Sequence, residues 1–303
     1  MTLETSQGTD RKLDHWADWL VHGRDRGATD VQKRRTRRGL ARVRDRVLRG
    51  AGIRPGERVL DLGAGTGLLA LEARRRAKAS GYVVAIDLSA DALSECRRQA
   101  GSAENFAPLA CAVGDALHIP LASESVDVVM TRSVLIYLAD KQVGIAEIYR
   151  VLKPKGRASI FEPINEARER VQNEVRASGF YDELQPEWGE IRTYYDGHKE
   201  GWWGTLVGWD ERELIGWFEA AGFSSVDVSY EVGVGVGTKK PKKADIAAGI
   251  QGRPNPNMPS YEEVARQVLG DRADSYLDRY AQFMLKGNGP RSASAAVYLV
   301  AKR

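Results

Sequence analysis

Short apolar runs alternate with helix-like stretches between residues 51 and 162. Five runs are almost continuously apolar, as strands covered on both faces are. These runs are Arg58 to Leu62, Tyr82 to Asp87, Phe106 to Val113, Ser125 to Thr131 and Gly156 to Glu162. The helix-like stretches between them are Gly67 to Ala79, Ala90 to Ala100 and Lys141 to Leu152. This alternation predicts repeated strand–helix–strand units and a parallel sheet.

The pattern changes after residue 162. Residues 163–210 are crowded with aromatic side chains and show little periodicity, so we expect an aromatic cap there. Asp210 to Ala221 predicts a helix, and Ser225 to Val232 and Ser294 to Ala301 predict two further strands. The insertion between these strands, 233–292, is far longer than a hairpin loop.

The two halves of the insertion differ in composition. The first half is rich in Gly, Pro and Lys and predicts a mobile loop. The second half opens with Ser260 and Glu263 at the spacing of a capping box, which predicts a helix continuing to about Leu285. The chain thus divides into an N-terminal helical segment, 1–50, an α/β core, 51–162, the cap, 163–210, and a C-terminal part, 211–303.

Positive charge is concentrated in one N-terminal helix. Nine basic residues lie between Lys33 and Arg49 against one acid, Asp45, whereas the whole chain has a net charge of +4. Leu40 and Val43 fall on one face at helical spacing. The helix is either a solvated helix packed on the core or a surface for an acidic or phosphorylated partner.

The composition excludes several classes of protein. No run of about 18 apolar residues exists to span a bilayer, and the first residues lack the apolar segment of a secretory signal. We therefore expect a cytoplasmic protein without membrane contact. The two cysteines, Cys96 and Cys111, fall in a helix-like and a strand-like segment, so we expect small core residues and neither a disulfide nor a metal site.

The glycine-rich segment VLDLGAGTG, residues 59–67, joins the first strand to the first helix. Its glycines allow a tight turn and a close approach of backbone to a ligand. A dinucleotide fingerprint would need glycine at position 68, where this chain has Leu68, so the turn favours a ligand without a pyrophosphate. Asp61 adds a carboxylate that is suited to the ammonium group of a bound amino acid.

Acids also end the next two strands. Asp87 is placed to accept hydrogen bonds from ribose hydroxyls, and the following Leu88 to lie against a purine. Asp115 ends the third strand and offers a carboxylate to an exocyclic adenine amine.

Four segments, VLDLGAGTG, AIDLS, VGDALHIPLASESVDVVMTRSVLIYL and EIYRVLKPKGR, together resemble the class I methyltransferases that use S-adenosyl-L-methionine, especially the small-molecule branch. The resemblance covers about residues 55–162. It implies a doubly wound, Rossmann-like α/β fold with a seven-stranded, mostly parallel sheet whose last strand is antiparallel. It also implies S-adenosyl-L-methionine as cofactor and S-adenosyl-L-homocysteine as product.

The resemblance implies roles for three groups of cofactor-binding residues. The glycine turn would surround the methionine part of the cofactor. Asp87 and Leu88 would contact the ribose and the purine, and the end of the third strand would contact the adenine. The residues after the fourth strand would line the floor near the sulfonium. Beyond Asp61, Asp87 and Leu88, the predicted residues are Gly63, Ala64, Gly65, Thr66, Gly67, Asp115, Ala116, Leu117, Thr131, Arg132 and Ser133.

A catalytic acid or base is optional for in-line transfer of an activated methyl group. The predicted catalytic residues are His198, Glu162 and Tyr195, with Tyr194 and His118 as further candidates. His198 has an alternative interpretation as a structural histidine, and Glu162 as a carboxylate bonded to nearby backbone amides. His118 has an alternative interpretation as a residue packed near the adenine.

Aromatic and basic residues outside the shared motifs are the predicted acceptor contacts. They are Trp19, Arg35, Tyr137, Tyr181, Trp202 and Trp203. Trp202 and Trp203 form either a stacking wall for the ligand or the apolar contact that fixes the cap to the sheet.

The sequence predicts transfer of a methyl group to a small-molecule or peptide natural product, with oxygen or nitrogen as the favoured acceptor atom. An RNA methyltransferase that uses the basic helix is the first alternative, but the segment after the fourth strand, residues 131–134, lacks the Asn/Asp-Pro-Pro-aromatic motif of base-amine methylation. A NAD-dependent oxidoreductase and a noncatalytic cofactor-binding or interaction module are the others. We expect a monomer or a homodimer.

Overall fold

Seven strands form one sheet in the computed structural model, which describes residues 12–101, 104–198, 204–237, 239–287 and 289–303. The strand order is β3-β2-β1-β4-β5-β7-β6. All neighbouring strands run parallel except β7, which is antiparallel to both β5 and β6. The strands are β1 (Arg58–Leu62), β2 (Tyr82–Asp87), β3 (Leu109–Val113), β4 (Val126–Arg132), β5 (Leu152–Pro163), β6 (Ser225–Gly235) and β7 (Ser292–Lys302). This architecture confirms the predicted fold class.

Eleven α-helices are found in the described ranges. They are α1 (His15–Asp18), α2 (Asp30–Ala51), α3 (Ala70–Ala77), α4 (Ala90–Ala100), α5 (Lys141–Val151), α6 (Glu166–Ala177), α7 (Glu187–Asp196), α8 (Glu211–Ala220), α9 (Lys243–Gln251), α10 (Tyr261–Leu269) and α11 (Ala273–Lys286). A π-helical turn, Trp19–Gly23, continues α1. None of the helices in these ranges has the length and apolar character needed to cross a membrane.

The sheet is buried on both faces, which explains the continuous apolar runs. Along β1, Val59 belongs to a core that also contains Leu48 of α2 and Leu93 of α4. The next residue, Leu60, belongs to the opposite core, which includes Ile145 of α5. Successive side chains of a strand point to opposite faces, so a strand with helices on both sides is apolar at every position.

The predicted strand Phe106 to Val113 is too long at its start. The ladder with β2 begins at Leu109, because the amide of Ala107 donates to the carbonyl of Arg74 on α3 instead of to a strand. The other predicted strand and helix boundaries within 51–162 differ from the observed ones by up to four residues.

The cap is more regular than we expected. Within 163–198 and 204–210, the described parts of the cap, the chain forms two helices, α6 and α7, together with a 3-10 turn at Asp182–Leu184. Ile191 of α7 packs with Val264 of α10 and Tyr276 of α11 in a third core, away from the sheet. Both helices are short and bury few residues, Val171 and Val175 in α6 and Ile191 in α7, so the apolar stripe that would indicate each helix is short.

The insertion is also helical where a loop was predicted. Strand β6 extends to Gly235, and α9 occupies part of the Gly-, Pro- and Lys-rich half. The predicted helix start at Ser260 is confirmed, since Ser260 and Glu263 form a reciprocal capping box. A single helix to Leu285 is wrong: the chain adopts positive φ at Gly270, and α10 and α11 are two helices separated there by a 3-10 turn.

Candidate cofactor and acceptor site

The glycine turn after β1 needs glycine for two reasons. Gly63, Gly65 and Gly67 all adopt positive φ, at 70°, 53° and 91°. A Cβ atom on Gly63 would lie 2.2 Å from Cγ2 of Val134, and one on Gly67 would lie 2.6 Å from Sγ of Cys96. The turn is therefore fixed by close packing beneath it as well as by its backbone conformation.

Asp87 holds the turn from the end of β2. Its Oδ2 accepts a hydrogen bond from the amide of Gly65 at 2.7 Å, and its Oδ1 accepts one from the amide of Ser89 at 2.8 Å. Burial raises the pKa of this half-buried carboxyl. Each oxygen has a second lone pair that can accept from a ligand hydroxyl. Leu88 is 56% exposed beside it, as a residue that contacts a purine would be in the ligand-free chain.

Asp115 lies on the same edge of the sheet. Its Oδ1 accepts from the amide of Leu117 at 2.9 Å, and its carbonyl accepts from the amide of His118, so residues 115–118 form a tight turn. The amide of Gly114 donates to the carbonyl of Asp87 and joins this turn to β2. The carboxylate of Asp115 is exposed, whereas Ala116 is buried.

Asp61 is a buried carboxyl with one unused oxygen. Its side chain is 1% exposed, and its Oδ2 accepts from the amide of Ala70 at 2.7 Å. Oδ1 has no hydrogen-bond partner among the described residues. Burial, followed by the charge of Asp87, raises the pKa of Asp61 to about 8. A buried acceptor of this kind is stabilised by a cationic donor, because such a donor restores the missing hydrogen bond and favours the carboxylate.

A second group of polar atoms without partners lies at the end of β4. Oγ1 of Thr131 and the Nε atoms of Arg132 and Arg24 are buried and make no hydrogen bond within the part of the chain that the structure describes. Burial lowers the pKa of Arg132, and the nearby charge of Arg24 lowers it further. Ser133 follows with positive φ, at 55°. Arg24 was not predicted, because nothing in its local sequence distinguishes it from the other arginines.

The N-terminal segment covers the glycine turn. Cδ1 of Leu20 lies 3.2 Å from the position that a Cβ atom on Gly65 would take. The carboxylate of Asp14 accepts from Oγ of Ser89 at 2.7 and 2.9 Å. The indole Nε1 of Trp19 donates to the carbonyl of Arg253 at 2.9 Å. This segment therefore joins the edge of the cofactor site to the insertion, a long-range contact that no local motif indicated.

Glu162 makes the backbone contacts that one of its two interpretations predicted. Its carboxylate accepts from the amides of Val134, Leu135 and Ile136 at 2.8, 2.9 and 3.2 Å. Burial raises the pKa of Glu162 to about 7 although these amides favour the charged form. Glu162 thus stabilises the turn after β4. Tyr137 in this turn packs edge-on against Trp16, with ring centroids 5.1 Å apart.

A cavity of about 620 Å³ lies at the same edge of the sheet, between the cap and the insertion. Its floor includes Pro163 at the end of β5 and Ala295 near the start of β7. Of the predicted site residues, Tyr181 and Tyr195 line it. Trp19 does not line the cavity. It donates a hydrogen bond to Arg253, whose neighbours Gly252 and Pro254 are in the cavity wall.

Other predicted acceptor and catalytic residues lie elsewhere. Nδ1 of His198 lies 2.7 Å from the carbonyl of Tyr194, and its ring packs against that tyrosine at a tilt of 34°, outside the cavity lining. Arg35 is exposed on α2 and does not line the cavity, because it lies on the solvent side of that helix. The predictions for Trp202 and Trp203 fall outside the described residues. No group of three or more His, Cys, Asp or Glu in the described ranges is arranged to hold a metal ion.

The family comparison supplies the decisive observation. Residues 60–160 match a family profile described as a methyltransferase domain. These residues form a class I methyltransferase domain. The domain contains the glycine turn, Asp87 and Asp115, and S-adenosyl-L-methionine is the cofactor of this class.

Two curated relatives each match less than two fifths of this chain. Arsenite methyltransferase of Halobacterium salinarum is 34% identical over 119 residues, which are 39% of this chain and 30% of that protein. The ubiquinone/menaquinone biosynthesis C-methyltransferase UbiE of Stenotrophomonas maltophilia is 37% identical over 112 residues, 37% of this chain and 44% of that protein. This chain therefore spans less than half the length of both relatives.

Solved structures show the same fold over most of the chain. The YcgJ protein of Bacillus subtilis aligns with a TM-score of 0.52 and 17% identity, covering 84% of this chain and 94% of that one. A Bacillus halodurans protein aligns with a TM-score of 0.50 and 17% identity, covering 86% and 97%. At this identity the likeness concerns the fold.

The residues of the methyltransferase domain fit the cofactor. The unused Oδ1 of Asp61 suits the ammonium group of the methionine part. The Asp87 carboxylate has lone pairs for the ribose hydroxyls. The polar atoms without partners on Thr131 and Arg132 lie beside this edge, where a ligand can satisfy them.

Proposed function

We propose that this chain is an S-adenosyl-L-methionine-dependent methyltransferase that methylates a small-molecule or peptide acceptor in the cavity under the cap. The observation that carries the proposal is the common edge of the two sites. The glycine turn follows β1. The cavity lies at the end of β5 and at the start of the antiparallel β7, which are two and three strands away from β1 in the sheet. At about 4.8 Å per strand, the two sites are roughly 10 to 15 Å apart.

The chain's own residues bind and orient the reactants. S-adenosyl-L-methionine, when bound, supplies a methyl group that is already activated by its sulfonium, so correct placement of the acceptor provides most of the acceleration. In this proposal Asp61 binds the ammonium group, Asp87 the ribose and Asp115 the adenine amine. The N-terminal segment at Leu20 excludes water from the glycine turn.

No strong general base is evident in the described cavity wall. Burial raises the pKa of Tyr195 to about 12, so its hydroxyl stays protonated at neutral pH and is not a base. Glu162 is occupied by three backbone amides. An acceptor oxygen or nitrogen that is nucleophilic without a base, such as a phenolate, a carboxylate or an amine, fits this wall best.

Transfer of labelled methyl groups tests the proposal. The protein is incubated with S-adenosyl-L-methionine carrying a radioactive methyl group and with separate pools of small molecules, peptides and RNA. Label in the small-molecule or peptide pool supports the proposal, and chemical analysis of the product then shows whether oxygen, nitrogen or carbon is methylated. Binding of the cofactor with no transfer to any pool would support a noncatalytic module.

The basic helix supports RNA as a second candidate acceptor. Arg34, Arg37, Arg38 and Arg42 are exposed on α2, whereas Arg46 contacts Glu231 and Tyr298. Exposed arginines on one helix are suited to phosphate contacts. Tight binding of tRNA that weakens steeply between 50 and 200 mM salt, together with label in the RNA pool, would favour this candidate.

A further inference from the structure

Among the residues that the structure describes, four arginines line the cavity under the cap, and no aspartate or glutamate does. They are Arg168, Arg176, Arg192 and Arg291. Burial lowers the pKa of Arg176, and the charge of the adjacent Arg192 lowers it further, so these two guanidinium groups lie close together. A ligand in the cavity therefore meets an excess of positive charge.

Acids pair with three of these arginines and offset part of their charge. Arg192 contacts Asp196, Arg176 lies 3.8 Å from Glu169, and Arg291 from the start of β7 contacts Glu174. All three carboxylates are outside the cavity lining. A guanidinium has five N–H donors, so an arginine with one acid partner retains donors for a ligand.

Arg168 is the least compensated of the four. It is exposed on α6 and has no ion pair within the described part of the chain. It stands one helical turn from Gln172 and two turns from Arg176, both of which also line the cavity. Residues at this spacing share one face of a helix, so Arg168 and Arg176 present their charge to the same space.

Aromatic rings also line the cavity. Tyr181 and Trp188 stack with their ring centroids 4.7 Å apart and their planes inclined by 11°. Tyr261 and Tyr280 also line the cavity, 5.0 Å apart between ring centroids. Flat side chains of this kind complement a flat ligand. The cavity volume of about 620 Å³ lies in the range of pockets that bind drug-sized ligands.

We propose that the acceptor is an anionic small molecule with an aromatic ring system, held through its carboxylate, phosphate or sulfonate by Arg168 and Arg192. The ring lies against the tyrosines and Trp188, and Arg176 adds positive charge. A planar guanidinium matches these anions in geometry. This inference rests on the proposed function, since it names the acceptor class of the same site.

A pair of fluorescent probes tests the charge requirement. 8-Anilino-1-naphthalenesulfonate and N-phenyl-1-naphthylamine share their rings, and only the first has an anion. Both are titrated into the full chain saturated with S-adenosyl-L-homocysteine, so that the cofactor site is occupied. We expect the sulfonate probe to bind at one site and at least tenfold more tightly than the neutral probe, as one charge-assisted hydrogen bond allows.

Three variants locate the effect. Arg168→Gln and Arg192→Gln should each weaken binding of the sulfonate probe about tenfold and change binding of the neutral probe less than twofold. Arg170→Gln, on the same helix but outside the cavity lining, should leave both affinities within twofold of wild type. Thermal unfolding and affinity for S-adenosyl-L-homocysteine check that each variant is folded.

The outcomes separate this inference from the proposed function. Equal affinity for the two probes, or equal losses in Arg168→Gln and Arg170→Gln, overturns the anionic acceptor while cofactor binding stands. Failure of the wild type to bind S-adenosyl-L-homocysteine overturns the proposed methyltransferase, whatever the probes show.

Discussion

Two parts of the molecule are organised by different interactions. We call the described residues of 12–162 the cofactor half, and those of the cap and insertion, 163–210 and 233–292, the acceptor half, because we propose that these parts bind the two ligands. In the cofactor half, the glycine turn, Asp87 and Asp115 are joined by backbone hydrogen bonds between neighbouring strand ends. In the acceptor half, helices α7, α10 and α11 meet in a core rich in aromatic side chains that are distant in sequence. Backbone geometry demands particular residues at particular positions, whereas aromatic packing tolerates many arrangements.

This difference predicts unequal sensitivity to substitution. A methyl group added at a glycine of the turn should disrupt the cofactor half, because the strained backbone and the close contact beneath it leave no room. Substitutions in the acceptor half should change which molecule is bound and leave cofactor binding intact. The following predictions test this comparison from the largest effect to the smallest.

Gly63→Ala should have the largest effect. The positive φ and the contact with Val134 together should lower the free energy of unfolding by about 2 to 4 kcal/mol and abolish binding of S-adenosyl-L-homocysteine. Gly216→Ala is the matched control, since Gly216 lies in α8 with open space around it, and alanine there should stabilise the helix by about 1 kcal/mol. Chemical denaturation and calorimetry measure both. A Gly63→Ala protein with wild-type affinity would show that the turn does not contact the cofactor.

Asp87→Ala should weaken binding of S-adenosyl-L-homocysteine by about 1 to 3 kcal/mol, because ligand hydroxyls and the amide of Gly65 lose their acceptor. Asp278→Ala changes an exposed acid of the acceptor half and should leave the affinity unchanged. Calorimetric titration measures the affinity of both variants for S-adenosyl-L-homocysteine. Equal affinities would remove Asp87 from the ribose site.

Asp61→Asn should change how stability depends on pH. The folded chain holds a proton on Asp61 up to about pH 8, whereas the unfolded chain releases it near pH 3.8. The contribution of Asp61 to stability therefore falls as the pH rises between these values and is constant above about 8. The free energy of unfolding of the ligand-free variant should exceed that of wild type by about 1 to 3 kcal/mol at pH 8.5 and by less at pH 5. Glu162 is present in both proteins, so its own titration cancels in the comparison.

The same pKa predicts proton release on cofactor binding. At pH 7 the ammonium group of the ligand should favour the Asp61 carboxylate, so wild type should release a proton that Asp61→Asn does not. Calorimetry in two buffers with different ionisation enthalpies measures the number of protons released. Identical values for the two proteins would show that Asp61 does not meet the ammonium group.

Trp19→Phe should have the smallest effect. It removes the hydrogen bond to Arg253, which joins the two halves, and should cost about 1 kcal/mol of stability. Trp217→Phe, in α8, is a control for loss of an indole ring. Urea denaturation of both variants tests whether the N-terminal segment couples the halves. An effect no larger than that of Trp217→Phe would show that it does not.

The sequence predicted the cofactor half well because its signals are local. The order of strands and helices, the glycine turn and the acids at the strand ends all follow from short segments. Asp14 and Arg24 were missed because their roles depend on contacts with Ser89 and Arg132, about 75 and 108 positions away.

The acceptor half was predicted less well for a related reason. Helix α7 packs on α10 and α11 of the insertion, whereas α6 packs on β7, a strand distant in sequence. Both helices bury too few residues to show a long apolar stripe. The sequence did not predict the arginines of the cavity, because they come from α6, α7 and the residue before β7. No single segment indicates that these side chains line one space.

Calorimetric titration of S-adenosyl-L-homocysteine and of NAD into the wild-type chain tests the central claim most directly. A binding site for S-adenosyl-L-methionine at the glycine turn predicts one-to-one binding of S-adenosyl-L-homocysteine and no heat of binding with NAD. Binding of NAD alone would contradict it.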